Sequence, residues 1–243
     1  MIALLKKEIR SFLSSLIGYV VMAVFLLITS LFMWIFPGEF NVLDMGFANI
    51  DSLFFISPWV FMFLIPAVTM RSFSEERRTG TLELLLTKPI TDFQIILAKY
   101  LAGLILVIIS LLPTLLFFFT VYQLGNPPGN IDTGGTWGSY IGLLLLACGY
   151  VAIGIFASSI SRNQIVAFLI AILLTFFMYT GFQSIGSFEL MGTLDDFITK
   201  LGMQEHYASL SLGLIDSRDV VYFVALVSVF FLFTNLVLKS RKW

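Results

Sequence analysis

The residues able to do chemistry are few, and they avoid the apolar parts of the chain. His206 is the only histidine and Cys148 the only cysteine. A zinc motif or a Ser/His pair needs more than one isolated histidine, and a disulfide needs a second cysteine. His206 therefore reads as a surface or packing residue rather than a ligand. No G-x-x-x-x-G-K-[ST] run occurs, so the chain has no phosphate-binding loop with which to hydrolyse ATP itself. Ion-driven carriers place Asp, Glu, His or Arg at membrane depth, whereas the long apolar runs here hold none. What remains is one charge-dense stretch, RSFSEERRTGTLELLLTKPI at residues 71–90.

That stretch sits in a chain that is 58% hydrophobic and 12% charged, with a mean hydropathy of +0.97. Such a composition is that of an integral membrane protein. Inserting the seven charges of 71–90 would cost about 17 to 25 kcal/mol, against roughly 3 kcal/mol returned by its apolar residues. The stretch must stay in water. The elements around it are six uncharged runs, each near the roughly 20 residues that a bilayer core requires. They are 16–36, 53–70, 101–122, 140–160, 165–182 and 220–238. The first is too long for a signal-peptide core and lacks a small-residue cleavage site, so it reads as a retained span.

The basic residues give the sidedness. Lys6, Lys7, Arg10, Arg71, Arg77, Arg78, Lys88, Lys99, Arg162, Lys239, Arg241 and Lys242 all lie in the N-terminal segment, alternate connections or the tail, which is 12 of 14. The remaining connections carry Lys200 and Arg218 among ten acidic residues. Positive loops stay inside, so both termini are expected to be cytoplasmic, in the inner (plasma) membrane. The expected fold class is thus an all-α polytopic membrane protein, one domain over 1–243, with no separate soluble domain.

Shorter elements follow from local signals. Ile2, Leu5, Ile9, Phe12, Leu13 and Leu16 repeat at helical spacing opposite Lys6, Lys7 and Arg10, which predicts an interfacial helix on the inner leaflet. Residues 123–138 read as a Gly/Pro-rich outer loop with Trp137 at the interface. TLDDFITKLG predicts a short outer helix capped by Thr193 and stopped at Gly202, and HYASLSLGLI a second before the last span. Ala147, Gly154, Ser158 and Ser161 form a small-residue stripe for close helix contact, either within the chain or with a second one.

Within 71–90, Ser72 and Glu75 have capping-box spacing, Gly80 offers a break, Thr81 can cap a second helix with Glu83 in its first turn, and Pro89 ends it. The pattern is helix, glycine turn, helix, stop. Its leucines, Leu82, Leu84, Leu85 and Leu86, suit either a docked partner or the chain's own membrane helices.

The run FSEERRTGTLELLLTKPI, followed by Lys99 and a long apolar helix, resembles the cytoplasmic signature of ABC-2 type transporter permeases. SSISRNQIVA and HYASLSLGLIDSRDVVYF resemble the same family, nearest to its gliding-motility-associated permeases. The resemblance implies that Glu75, Glu76, Arg77, Arg78, Thr79, Gly80, Thr81, Glu83 and Pro89 form the coupling helix region that contacts an ATP-binding subunit. It further implies a GldA-like ATPase carrying the ATP and Mg, and a GldG-like second permease-type subunit or a second copy of this chain. No catalytic residue, metal, cofactor or nucleic acid is expected on this chain itself, and membrane lipid surrounds it. The implied function is export-type transport driven by a separate ATPase. The alternative is a non-transporting scaffold that anchors an ATPase or motility or secretion machinery in the membrane.

Overall fold

A computed structural model of the chain describes residues 1–87, 89–187 and 192–240. Lys88, Glu189, Arg241 and Lys242, counted above, and the side chains of Leu84, Leu86 and Leu194 lie outside the described residues. Among the described residues the structure is helical, with no strand.

Helix α1 (Ile2–Leu13) is followed across Ser14 and Ser15 by α2 (Leu16–Ser30), which ends in a turn of π-helix at Leu31–Ile35. Ser15 is extended, and its side chain accepts from Gly18 N, starting α2. Next come α3 (Asp51–Thr69), α4 (Arg71–Arg78), α5 (Thr81–Leu86) and α6 (Asp92–Leu111). A 3-10 turn at Leu112–Thr114 leads into α7 (Leu115–Leu124), then α8 (Thr133–Ile160) and α9 (Gln164–Phe176). A second π turn at Phe177–Gly181 continues into α10 (Phe182–Gly186), followed by α11 (Thr193–Thr199), α12 (Met203–Ser211) and α13 (Ser217–Lys239).

Six helical stretches are long and apolar enough to cross a membrane: Leu16–Ile35, Asp51–Arg78, Asp92–Leu124, Thr133–Ile160, Gln164–Gly186 and Ser217–Lys239. Each contains one expected run, apart from a residue at the edge of the first, and most extend beyond it. Counting apolar residues misses these extensions, because a helix continues where its hydrogen bonds do, whatever its polarity. The third is the consequential case: it begins at Asp92 and takes in Lys99, which the sequence had assigned to a solvated connection.

Helix α8 is the hub, packed against α3, α4, α6, α9, α12 and α13. Close approach explains its glycines. A methyl group at Gly142 would sit 2.5 Å from Leu210 Cβ of α12, and one at Gly154 would collide with the Thr69 side chain of α3. Ala147, Gly154 and Ser158 are buried against the chain's own helices, so that stripe is an internal seam. Phe54 and Tyr140 pack edge to face, and Tyr207 Oη donates to the Phe54 carbonyl, tying α12 to the start of α3.

Several local expectations need correction. Residues 133–138 belong to α8, whose N-cap is Asp132 accepting from Gly135 N, so only the part before them is loop. Gly192, not Thr193, precedes α11, and Gly202 begins α12 rather than merely ending α11. Helix α12 spans 203–211 and stops before GLI, where Gly213 adopts a positive φ. On α1, Phe12 of the apolar set expected to face the leaflet is instead buried against the protein with Leu4 and Glu8, and Leu16 already starts α2.

Candidate functional site: a pinned helical element

Helix α4 is a prolongation of α3 past a single-residue break at Met70. The break has a visible cause. Ser158 Oγ of α8 accepts from Phe73 N at 2.9 Å and Ser74 N at 3.1 Å and donates to the Met70 carbonyl at 2.9 Å. A side chain has been inserted into the helical ladder, which kinks a helix. The predicted capping box at Ser72 and Glu75 is therefore absent: the helix does not begin there, no side-chain cap forms, and a serine from another helix satisfies the freed amides. Sequence spacing cannot reveal an acceptor that is more than eighty residues away.

Glu75 faces its own helix and α9. It lies 3.0 Å from Arg78 and 3.8 Å from Arg71, and Gln164 Nε2 donates to its Oε2. These pairs are partly solvated and hold geometry more than they stabilise. Glu76 turns inward. Its Oε1 lies 3.3 Å from Lys7 Nζ, and its Oε2 lies 3.0 Å from Lys99 Nζ. Lys99 also meets Glu8 Oε1 at 3.1 Å, donates to the Ser72 carbonyl at 2.6 Å, and stands 5.1 Å over the Phe73 ring.

Only 1% of the Lys99 side chain is exposed, against 10% for Glu8 and 12% for Glu76. A cation so placed needs both ion pairing and hydrogen bonding, and here it has two carboxylates, a carbonyl and an aromatic face. The cluster joins α1, α4 and α6 at one end of the bundle. The signal for it was present in sequence. Lys99 falls among Ile95, Ile96, Ala102, Gly103 and Leu106, the buried face of α6, and Glu8 falls midway between buried Leu4 and Phe12.

Beyond Arg78 the chain turns outward. Thr79 Oγ1 donates to the Glu75 carbonyl at 2.9 Å, which leaves the Thr81 hydroxyl to donate to it, also at 2.9 Å. Gly80 sits between them at φ +73°, a left-handed conformation that favours glycine. Helix α5 follows with Thr81 as its first residue rather than its cap, and Glu83 in its first turn. Leu82 and Leu85 are buried in the main core, so these two leucines pack on their own protein. Thr87 closes α5, two residues before Pro89. Helix α6 then starts with a reciprocal cap between Thr91 and Gln94, whose three-residue spacing is a capping-box signal in the sequence itself.

The structure thus divides the nine candidate residues. Glu75, Glu76 and Arg77 are at least half-buried, with both carboxylates engaged internally, whereas Arg78, Thr79, Gly80, Thr81 and Glu83 form an exposed polar knuckle and Pro89, beyond α5, is exposed. Among the described residues no group of His, Cys, Asp and Glu could hold a metal ion. His206 lies at the opposite end, its Nδ1 2.7 Å from Asp219 and its Nε2 2.9 Å from the Lys200 carbonyl, stacked on Tyr222. It joins α12 to α13. The arrangement around 71–87 is suited to transmitting displacement rather than to bond chemistry.

Comparison with curated proteins returns no match. The family described as ABC-2 family transporter protein matches residues 2–239, nearly the whole chain, including all six membrane-capable helices and the pinned element between the second and third. The chain therefore belongs to the ABC-2 transporter family, as a multi-pass membrane permease subunit, and membership of that family generally implies an ATP-binding partner subunit.

Proposed function

We propose that residues 71–87 are the element through which the ATP-binding subunit moves this permease, and that the permease works in export. The observation that carries this reading is mechanical. An exposed polar knuckle is continuous with α3 and joined through buried Lys99 to α1 and α6. A push on the knuckle is delivered to three helices together, as a rigid-body transition requires. The described basic residues Lys6, Lys7, Arg10, Arg71, Arg77, Arg78, Lys99, Arg162 and Lys239 lie in segments that meet at this end, which supports a cytoplasmic location for it and for both termini in the inner membrane.

Within the family, the motifs resemble most the gliding-motility permease subunit GldF. On that reading the partners are a GldA-like ATPase, which brings ATP and Mg, and a GldG-like subunit or a second copy that completes the transmembrane pair. Glu83→Lys tests the docking contact. It places a cation at the positive end of α5, a penalty of about 0.3 to 1 kcal/mol that is too small to unfold the protein. Co-purification of the ATP-binding subunit should fall while the amount of permease in the membrane stays at the wild-type level. Undiminished co-purification would place the contact elsewhere. Docking without any cargo-dependent change in ATP turnover would favour a non-transporting scaffold.

A further inference from the structure

Helix α1 carries three distinct faces. Leu4, Glu8 and Phe12 face the protein; Ile2, Leu5, Ile9 and Leu13 form a second, half-exposed apolar arc; Lys6 and Arg10 border that arc on its far side. Where the second and third faces meet lies a shallow hollow of about 390 Å³ lined by Lys6, Ile9, Arg10, Leu13 and Ser14. Lys7 is spent on Glu76, but neither Lys6 nor Arg10 has a partner among the described residues. Two free cations one helical turn apart, above an apolar arc, match a phosphate headgroup above acyl chains.

We propose that this hollow binds the headgroup of an anionic phospholipid, and that the lipid sets the position of the coupling element. The path is short. The helix that would hold the lipid also carries Glu8, 3.1 Å from Lys99, and Lys7, 3.3 Å from Glu76 of α4. Lipid that draws α1 toward the bilayer surface therefore acts on α4 through a buried ion cluster. The regulatory half rests on the coupling role proposed above; the binding half does not.

The test begins with the full chain alone in nanodiscs of phosphatidylcholine mixed with phosphatidylglycerol, released for native mass spectrometry. Each basic residue near an anionic surface contributes about fivefold in affinity, so K6Q/R10Q should retain phosphatidylglycerol about thirtyfold less than wild type. K200Q/R218Q, at the opposite end, should match wild type, and added salt should weaken retention. Inorganic phosphate should not displace the lipid. Equal retention by wild type and K6Q/R10Q overturns the site, and displacement by phosphate overturns its assignment to a lipid. With the ATP-binding subunit added in vesicles, phosphatidylglycerol should raise ATP turnover for wild type and not for K6Q/R10Q. Retention of lipid with no such difference overturns the link to the coupling element. Because the first measurement omits the ATP-binding subunit, its failure is separable from failure of the coupling role.

Discussion

Lys99→Met should destabilise the permease by about 3 to 5 kcal/mol, the usual consequence of removing one partner from a buried ion cluster. Methionine fills nearly the same space, so the loss is electrostatic rather than a cavity. It leaves Glu8 and Glu76 side by side, 10% and 12% exposed, with only the mostly solvated Lys7 to offset them. The Ser72 carbonyl also loses its 2.6 Å donor. Thermal unfolding of the purified chain in detergent measures the effect. Adding Glu8→Gln and Glu76→Gln should recover much of it, since neutralising all three members removes the uncompensated charge along with the attraction. A loss below about 1 kcal/mol would put the cluster in the class of solvated surface pairs.

Gly80→Val should separate ATP turnover from transport while leaving membrane insertion intact. At φ +73° a β-branched residue is a steric outlier. No heavy atom lies within 4 Å of where the new Cβ would stand, so the strain is confined to the backbone. A left-handed conformation costs an L-residue roughly 1 to 2 kcal/mol, which depopulates the observed turn about fivefold to thirtyfold. The chain escapes by changing φ, and α5 swings away from the direction set by Leu82 and Leu85. Transport per ATP hydrolysed, measured in vesicles at matched protein levels, should fall by a similar factor. Gly80→Asn, which tolerates this conformation, should retain most of it. Wild-type coupling in Gly80→Val would mean that the turn carries no load.

What was legible in the sequence is what local rules determine. Six apolar runs announce themselves because lipid imposes a length and excludes charge, and the helix, glycine turn, helix pattern of 71–87 follows from Gly80 and its neighbours. The rest depends on partners far along the chain. The apolar spacing around Lys99 signals a buried position, but its partner Glu8, 91 positions away, is identified only when the two are placed against each other. The spacing of Ser72 and Glu75 satisfies a capping rule, yet α3 runs on into α4 and the hydroxyl that serves the freed amides comes from Ser158. The four leucines of TLELLL satisfy both readings offered for them, and only packing assigns Leu82 and Leu85 to the interior.

The central claim is that the exposed knuckle meets the ATP-binding subunit, and cross-linking in native membranes addresses it most directly. Single cysteines are introduced into a Cys148→Ala background at Thr81, on the knuckle, and at Asn130, an exposed residue of the loop before α8 at the opposite end. A short reagent carrying a thiol-reactive maleimide at one end and a photoactivated diazirine, which inserts into neighbouring C–H or N–H bonds, at the other should join Thr81→Cys to the ATP-binding subunit in membranes from cells producing both chains, with a yield that changes on ATP binding, and should give no adduct from Asn130→Cys. An adduct from Asn130→Cys, or none from Thr81→Cys at equal protein levels, would contradict the account.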